Sequence, residues 1–128
     1  TIKLLKEMNV IIIEDEKPSA RRLKRMLSNL DIEAEVMLHS VEESIDWFQK
    51  NVHPDLIFLD IQLSDGLSFE IFEQIDIQSA VIFTTAYDEY AIKAFDMNAV
   101  DYLLKQESNK QSYILKMLCS LFLERIWR

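Results

Sequence analysis

Three carboxylates, two hydroxyls and one ammonium group stand at the ends of short apolar runs in this chain. Glu14 and Asp15 follow Val10-Ile11-Ile12-Ile13, and Asp60 follows Leu56-Ile57-Phe58-Leu59. Thr84-Thr85 follow Val81-Ile82-Phe83, and Lys105 closes Val100–Leu104. Singly, each is an ordinary polar residue at the end of an element. Together they have a definite chemistry. Crowded carboxylates repel, so protons or a cation must fill the gap between them. The donors are oxygens, which suits a hard divalent ion, Mg²⁺ or Mn²⁺, held by a few carboxylates and its own waters. Zn²⁺ is disfavoured, because His39 and His53 fall in other segments. An aspartate beside such an ion and a lysine is a nucleophile toward phosphorus. In that arrangement Asp60 accepts a phosphoryl group and Glu14 and Asp15 hold the metal. Lys105 and Thr85 hold the phosphoryl oxygens, the first with charge and the second with a hydroxyl.

These residues meet only if the elements between them bring them to one edge. The run 10–13 suits a strand buried on both faces. Pro18 sits where a first helical turn tolerates it, and Leu23, Met26, Leu27 and Leu30 follow at helical spacing. Glu35–Leu38 is a weaker strand. Ser40 and Glu43 make a capping box, with Val41, Ile45, Phe48 and Val52 on one helical face behind it. Strand 56–59 is followed by a turn at Ser64-Asp65-Gly66, and then by a helix carrying Leu67, Ile71, Phe72 and Ile75. Asp88 caps a helix to about Met97, Val100–Leu104 is a fifth strand, and Ser108 or Asn109 opens a last helix. Five β-α units predict an α/β fold, a doubly wound five-stranded parallel sheet. Its functional crevice lies beyond the carboxyl ends of the strands, where the six residues stand.

Composition narrows the function. The chain has 128 residues, one domain's worth, with a core expected over about 9–105 and the last helix over about 109–127. Its 14 Lys and Arg against 22 Asp and Glu give a net charge of −8, which opposes direct binding to nucleic acid. The single cysteine, Cys119, allows no internal disulfide and reads as a buried helical residue. The single glycine, Gly66, excludes a P-loop and a dinucleotide-binding turn. No apolar run reaches the ~18 residues of a membrane span, and no signal peptide is visible, so the cytoplasm is expected.

With these residues in hand, the sequence resembles the receiver domain of two-component response regulators, from about Asn9 to Lys105. The motifs are Ile13-Glu14-Asp15-Glu16, Leu59-Asp60-Ile61-Gln62-Leu63 with Asp65-Gly66, Phe83-Thr84-Thr85-Ala86, and Asp101-Tyr102-Leu103-Leu104-Lys105. Ala20-Arg21-Arg22-Leu23 and Thr85-Ala86-Tyr87-Asp88-Glu89-Tyr90-Ala91 with Ala94-Phe95 are similar to receivers that precede a LytTR-type DNA-binding domain. The resemblance implies a flavodoxin-like (βα)5 fold with strand order 2-1-3-4-5. It implies that Asp60 takes a phosphoryl group from a sensor histidine kinase. It places Mg²⁺ between Glu14, Asp15, Asp60 and the main-chain carbonyl of Gln62. It makes Thr85 the switch hydroxyl and Tyr102 the aromatic that moves inward with it. It gives Gln62 and Tyr87 a role in tuning how fast water attacks the aspartyl phosphate. It implies a phosphoacceptor with slow self-dephosphorylation, not an enzyme of free substrates, with DNA reached only through an output domain outside this chain.

Two features depart from a plain receiver. The family usually has proline after the lysine, joined by a cis peptide, and here Gln106 follows Lys105. A cis bond before a non-proline costs about 2.5–4 kcal/mol, so a trans bond and a less well placed Lys105 are expected. The last helix carries Ile114, Leu115, Leu118, Leu121, Phe122, Ile126 and Trp127, a wide apolar arc. It is either a fully buried edge or a docking face for a second copy or another domain. The competing reading is a degenerate receiver that acts as an interaction module without phosphorylation. A phosphohydrolase is disfavoured, because Gln62 stands where such enzymes place a second acid.

Overall fold

The computed structural model describes residues 8–85 and 101–104. Strand β1 (Val10–Ile13) is the β-branched run, and all four of its residues are buried. Helix α1 (Lys17–Asn29) has Pro18 in its first turn, where the missing N–H has no helical partner to lose. Its end is a tight reversal. Asp31 adopts φ 63°, the left-handed region that aspartate tolerates better than most residues. The N–H of Ile32 returns to the carbonyl of Leu27 at 2.9 Å, and that of Asp31 to Ser28 at 2.9 Å. Strand β2 (Ala34–Leu38), helix α2 (Val41–Lys50) and strand β3 (Leu56–Asp60) follow.

A two-residue hairpin, β4 (Gln62–Leu63) and β5 (Gly66–Leu67), replaces the plain turn expected at 64–66. Gly66 has φ 150°, which strains any residue with a Cβ, and a Cβ there would run into the Glu70 carboxylate. Helix α3 (Phe69–Gln74), strand β6 (Ala80–Thr85) and strand β7 (Asp101–Leu104) complete the described chain.

The main sheet runs β2-β1-β3-β6-β7 with every pair parallel, which is the strand order expected of the five principal strands. Two apolar clusters lie on its two faces. One joins Val10, Ile12, Phe58 and Ile82 to Ala20 and Leu27 of α1. The other joins Ile11, Ile13, Leu59 and Phe83 to Val41 and Phe48 of α2 and Phe69 and Ile71 of α3. Alternating strand residues therefore feed opposite faces, as a doubly wound sheet requires. Phe58, Phe83, Ile12 and Leu27 are fully buried, each worth roughly 1.5–3 kcal/mol of transfer free energy before entropy is set against it.

Helical spacing misplaces three apolar positions. Val52 lies past the end of α2 and is 92% exposed. The Asn51 side chain bonds the Trp47 carbonyl at 2.9 Å and the chain turns extended there, so no helical face continues to Val52. Leu67 belongs to β5, because Gly66, at a φ that glycine adopts without strain, turns the chain into the hairpin before α3 begins, and Ile75 stands at the C-cap of α3, where the backbone is extended. The helices expected from Asp88 and from Ser108 or Asn109, the Lys105–Gln106 peptide, Cys119 and the apolar arc from Ile114 to Trp127 lie outside the described residues. Among the described residues no helix is long and apolar enough to cross a membrane.

Candidate functional site

Parallel pairing brings the ends of β1, β3 and β6 to one edge. Val10 to Ile13 pair with Leu56 to Leu59, and Asp60 pairs with Thr84. Glu14 is the first residue past β1. Its N–H donates to the Leu38 carbonyl at 2.9 Å, which extends the ladder toward β2. Its carbonyl accepts from Nδ1 of His39 at 2.9 Å. A carbonyl only accepts, so Nδ1 carries the proton. Its carboxylate accepts from the N–H of Glu16 at 3.2 Å. Asp60 ends β3, and its Oδ1 accepts from the N–H of Gln62 at 3.4 Å.

Glu14 is 4% and Asp60 7% exposed, and Asp15 is half-buried. One carboxylate oxygen from each of the three lies within 4.8 Å of the others. Two buried acids and a third beside them form an oxygen-only donor set. That set fits a hard divalent cation, whose charge offsets both desolvation and mutual repulsion. The three residues that the sequence spreads from 14 to 60 are thus brought together.

The remaining site residues stand around them to different degrees. Thr84 is buried, and its carbonyl accepts from the N–H of Ile61 at 3.1 Å. Thr85 follows it on β6 and pairs with Leu104, the residue before Lys105. Tyr102 pairs with Phe83 in the same ladder. Gln62 is exposed in β4. Lys105 and Tyr87 lie outside the described residues.

Three supporting residues were not legible from the sequence. His39 fastens the Glu14 backbone from 25 residues away. Ser68 is buried, and its N–H and hydroxyl both bond the Ile61 carbonyl, at 2.8 and 3.1 Å. Asp65 reaches the first turn of α2, where its two oxygens accept from the N–H groups of Val41 at 2.8 Å and Glu42 at 3.0 Å. Desolvation would raise the Asp65 carboxyl. The hydrogen bonds from Val41, Glu42 and its own backbone N–H outweigh it and hold the group below its ordinary 3.8. The Asp-Gly pair at 65–66 signals a turn, and nothing local reveals the helix it caps.

The response regulator receiver domain family matches residues 10–117 of this chain. The chain belongs to that family. As a receiver domain, it resembles the sensory transduction protein LytT of Bacillus anthracis, with 38% identity over 102 residues. That match takes in 77% of this chain and 41% of LytT. Transcriptional regulatory protein LytR of Staphylococcus aureus is 34% identical over 108 residues, 81% of this chain and 44% of LytR. The chain spans about two-fifths of the length of these relatives. Among solved structures, the response regulatory domain of protein mrkE from Klebsiella pneumoniae aligns with a TM-score of 0.78 at 31% identity. The alignment covers 94% of this chain and all of that one. The receiver is therefore of the kind found in LytT- and LytR-type regulators.

Proposed function

We propose that this receiver takes a phosphoryl group on Asp60 from a sensor histidine kinase. The observation that carries the reading is the convergence of Glu14, Asp15 and Asp60 oxygens within 4.8 Å at the carboxyl edge of the sheet. An Asp60 oxygen attacks phosphorus in line. The O–P bond forms as the P–N bond to the donor imidazole breaks, and the imidazole leaves with the bonding pair. Glu14, Asp15, Asp60 and the Gln62 carbonyl would hold Mg²⁺ or Mn²⁺, which supplies positive charge against the phosphoryl oxygens.

Thr85 and Lys105 bind those oxygens once the group is on Asp60. The phosphoryl group adds about two negative charges, and the conformer that best satisfies them gains population. Thr85 moves toward the group, Tyr102 fills the space it leaves, and the surface near residues 88–104 changes. Gln62 and Tyr87 govern the approach of water, so the product decays slowly without other turnover. The chain is one receiver domain over 1–128 of a cytoplasmic protein. The parent protein acts on transcription through a DNA-binding output domain, a reading supported by the transcriptional role in the name of LytR. The partner that reads the switched surface is either a second copy of the receiver or the output domain.

Incubation with acetyl phosphate and Mg²⁺ tests the core of this. The expected result is one phosphoryl group by intact mass, mapped to Asp60 and absent in Asp60→Asn. Mapping to another residue overturns it.

A further inference from the structure

The hairpin that follows Asp60 is held at two polar points. At its base the Ile61 carbonyl takes bonds from the Ser68 N–H and hydroxyl, at 2.8 and 3.1 Å. At its tip the Asp65 carboxylate lies across the first turn of α2, one oxygen on each of two successive N–H groups. That helix already has a local cap. Ser40 Oγ accepts from the Glu43 N–H at 3.0 Å, and the Glu43 carboxylate accepts from the His39 N–H at 3.4 Å. The contact from Asp65 is therefore more than helix initiation requires. Two bonds from one rigid carboxylate fix both the position and the orientation of the hairpin tip. A negative group is also favoured at a helix N-terminus, so the fastening persists across neutral pH. Gln62 sits between the pinned Ile61 and the paired Leu63, and is itself paired with Leu67.

We infer that Asp65 is a positioning residue for the acidic site: by fastening the hairpin tip to α2 it sets the backbone at Gln62, whose carbonyl completes the metal's ligand set. The inference rests on the metal-binding reading above. Asp65 touches no ligand; it acts through the hairpin backbone. A residue that merely caps α2 would change stability and leave the metal site alone, and the two roles are separable. Ser40→Ala removes the local cap of the same helix and leaves the Asp65 bonds in place.

The experiment is a calorimetric Mg²⁺ titration of the whole chain, with thermal melts, for wild type, Asp65→Ala, Asp65→Asn and Ser40→Ala. Asp65→Ala is expected to weaken Mg²⁺ binding roughly 10-fold, the lower end of what loss of an outer partner does to a metal site. Asp65→Asn is expected to weaken it less, since its amide oxygen still accepts from one N–H. Ser40→Ala is expected to lower the melting temperature with Mg²⁺ affinity unchanged. If Asp65→Ala does not fold, Asp65→Asn against Ser40→Ala decides. Unchanged affinity in the Asp65 variants, or an equal loss in Ser40→Ala, overturns the positioning role. Wild type that fails to bind Mg²⁺ overturns the metal reading itself, which is a different result.

Discussion

Asp15→Asn should stabilise this receiver in the absence of divalent ions, against the usual direction of substitutions. The three acidic groups approach within 4.8 Å. At that separation two unit charges repel by about 0.9 kcal/mol in bulk water and about 3.5 kcal/mol at an effective dielectric of about 20. Asp15 is half-buried, so the watery end of that range applies to its repulsion from Glu14 and from Asp60. The amide keeps the shape and removes the charge, relieving about 1–2 kcal/mol. In a domain of this size that raises the melting temperature by about 4–8 °C. The assay is a pair of calorimetric melts, one in EDTA and one in saturating Mg²⁺. In EDTA the variant melts above wild type. In Mg²⁺ wild type gains more, because an ion at 100 times its Kd stabilises the folded form by about 2.7 kcal/mol and the variant has lost a ligand. The gap then closes or reverses. A variant that melts below wild type in EDTA, or that gains as much from Mg²⁺, would refute the electrostatic account of the cluster.

Two further outcomes follow from groups already described. Phe83 is fully buried and its ring packs against those of Phe69 and Phe72, at centroid distances of 5.4 and 6.0 Å, so Phe83→Ala should cost about 3–5 kcal/mol in urea unfolding. A loss below about 1 kcal/mol would contradict that packing. The Asp65 carboxyl is held below 3.8 in the folded chain, so its stabilisation is whole above 3.8 and is lost as pH falls through the lowered value. The stability difference between wild type and Asp65→Asn should therefore be level at neutral pH and shrink only in that acid window; a difference that shrinks near pH 6 would count against it.

The fold was legible where its causes are local. Val10–Ile13 is a strand because β-branched residues in an unbroken run suit burial on both faces, and Ser40 with Glu43 marks a helix start through bonds that span three or four residues. Asp60 beside Glu14 and Asp15 was legible at one remove, because parallel pairing forces strand ends together. Asp65 and His39 were not, since their partners lie 24 and 25 residues away and their types suit a turn or a surface equally well. Val52 and Leu67 misled for the opposite reason. Apolar spacing matched a helical period that the backbone abandons, at Asn51 in one case and after Gly66 in the other.

The reversal after α1 also sets where the chain tolerates added length. Between Asn29 and Ala34 three N–H groups, those of Leu30, Asp31 and Ile32, are tied to helix carbonyls and Ile32 is plugged into the core, so the joint has no slack. A peptide grafted there would tear a buried residue from its seat. The joint after α2 is the reverse at one residue: it carries the Val52 side chain into solvent, so a fluorophore attached at that position points away from the packed chain. For anyone wishing to label the domain without disturbing the acids at the far edge of the sheet, these two joints are the forbidden and the permitted address.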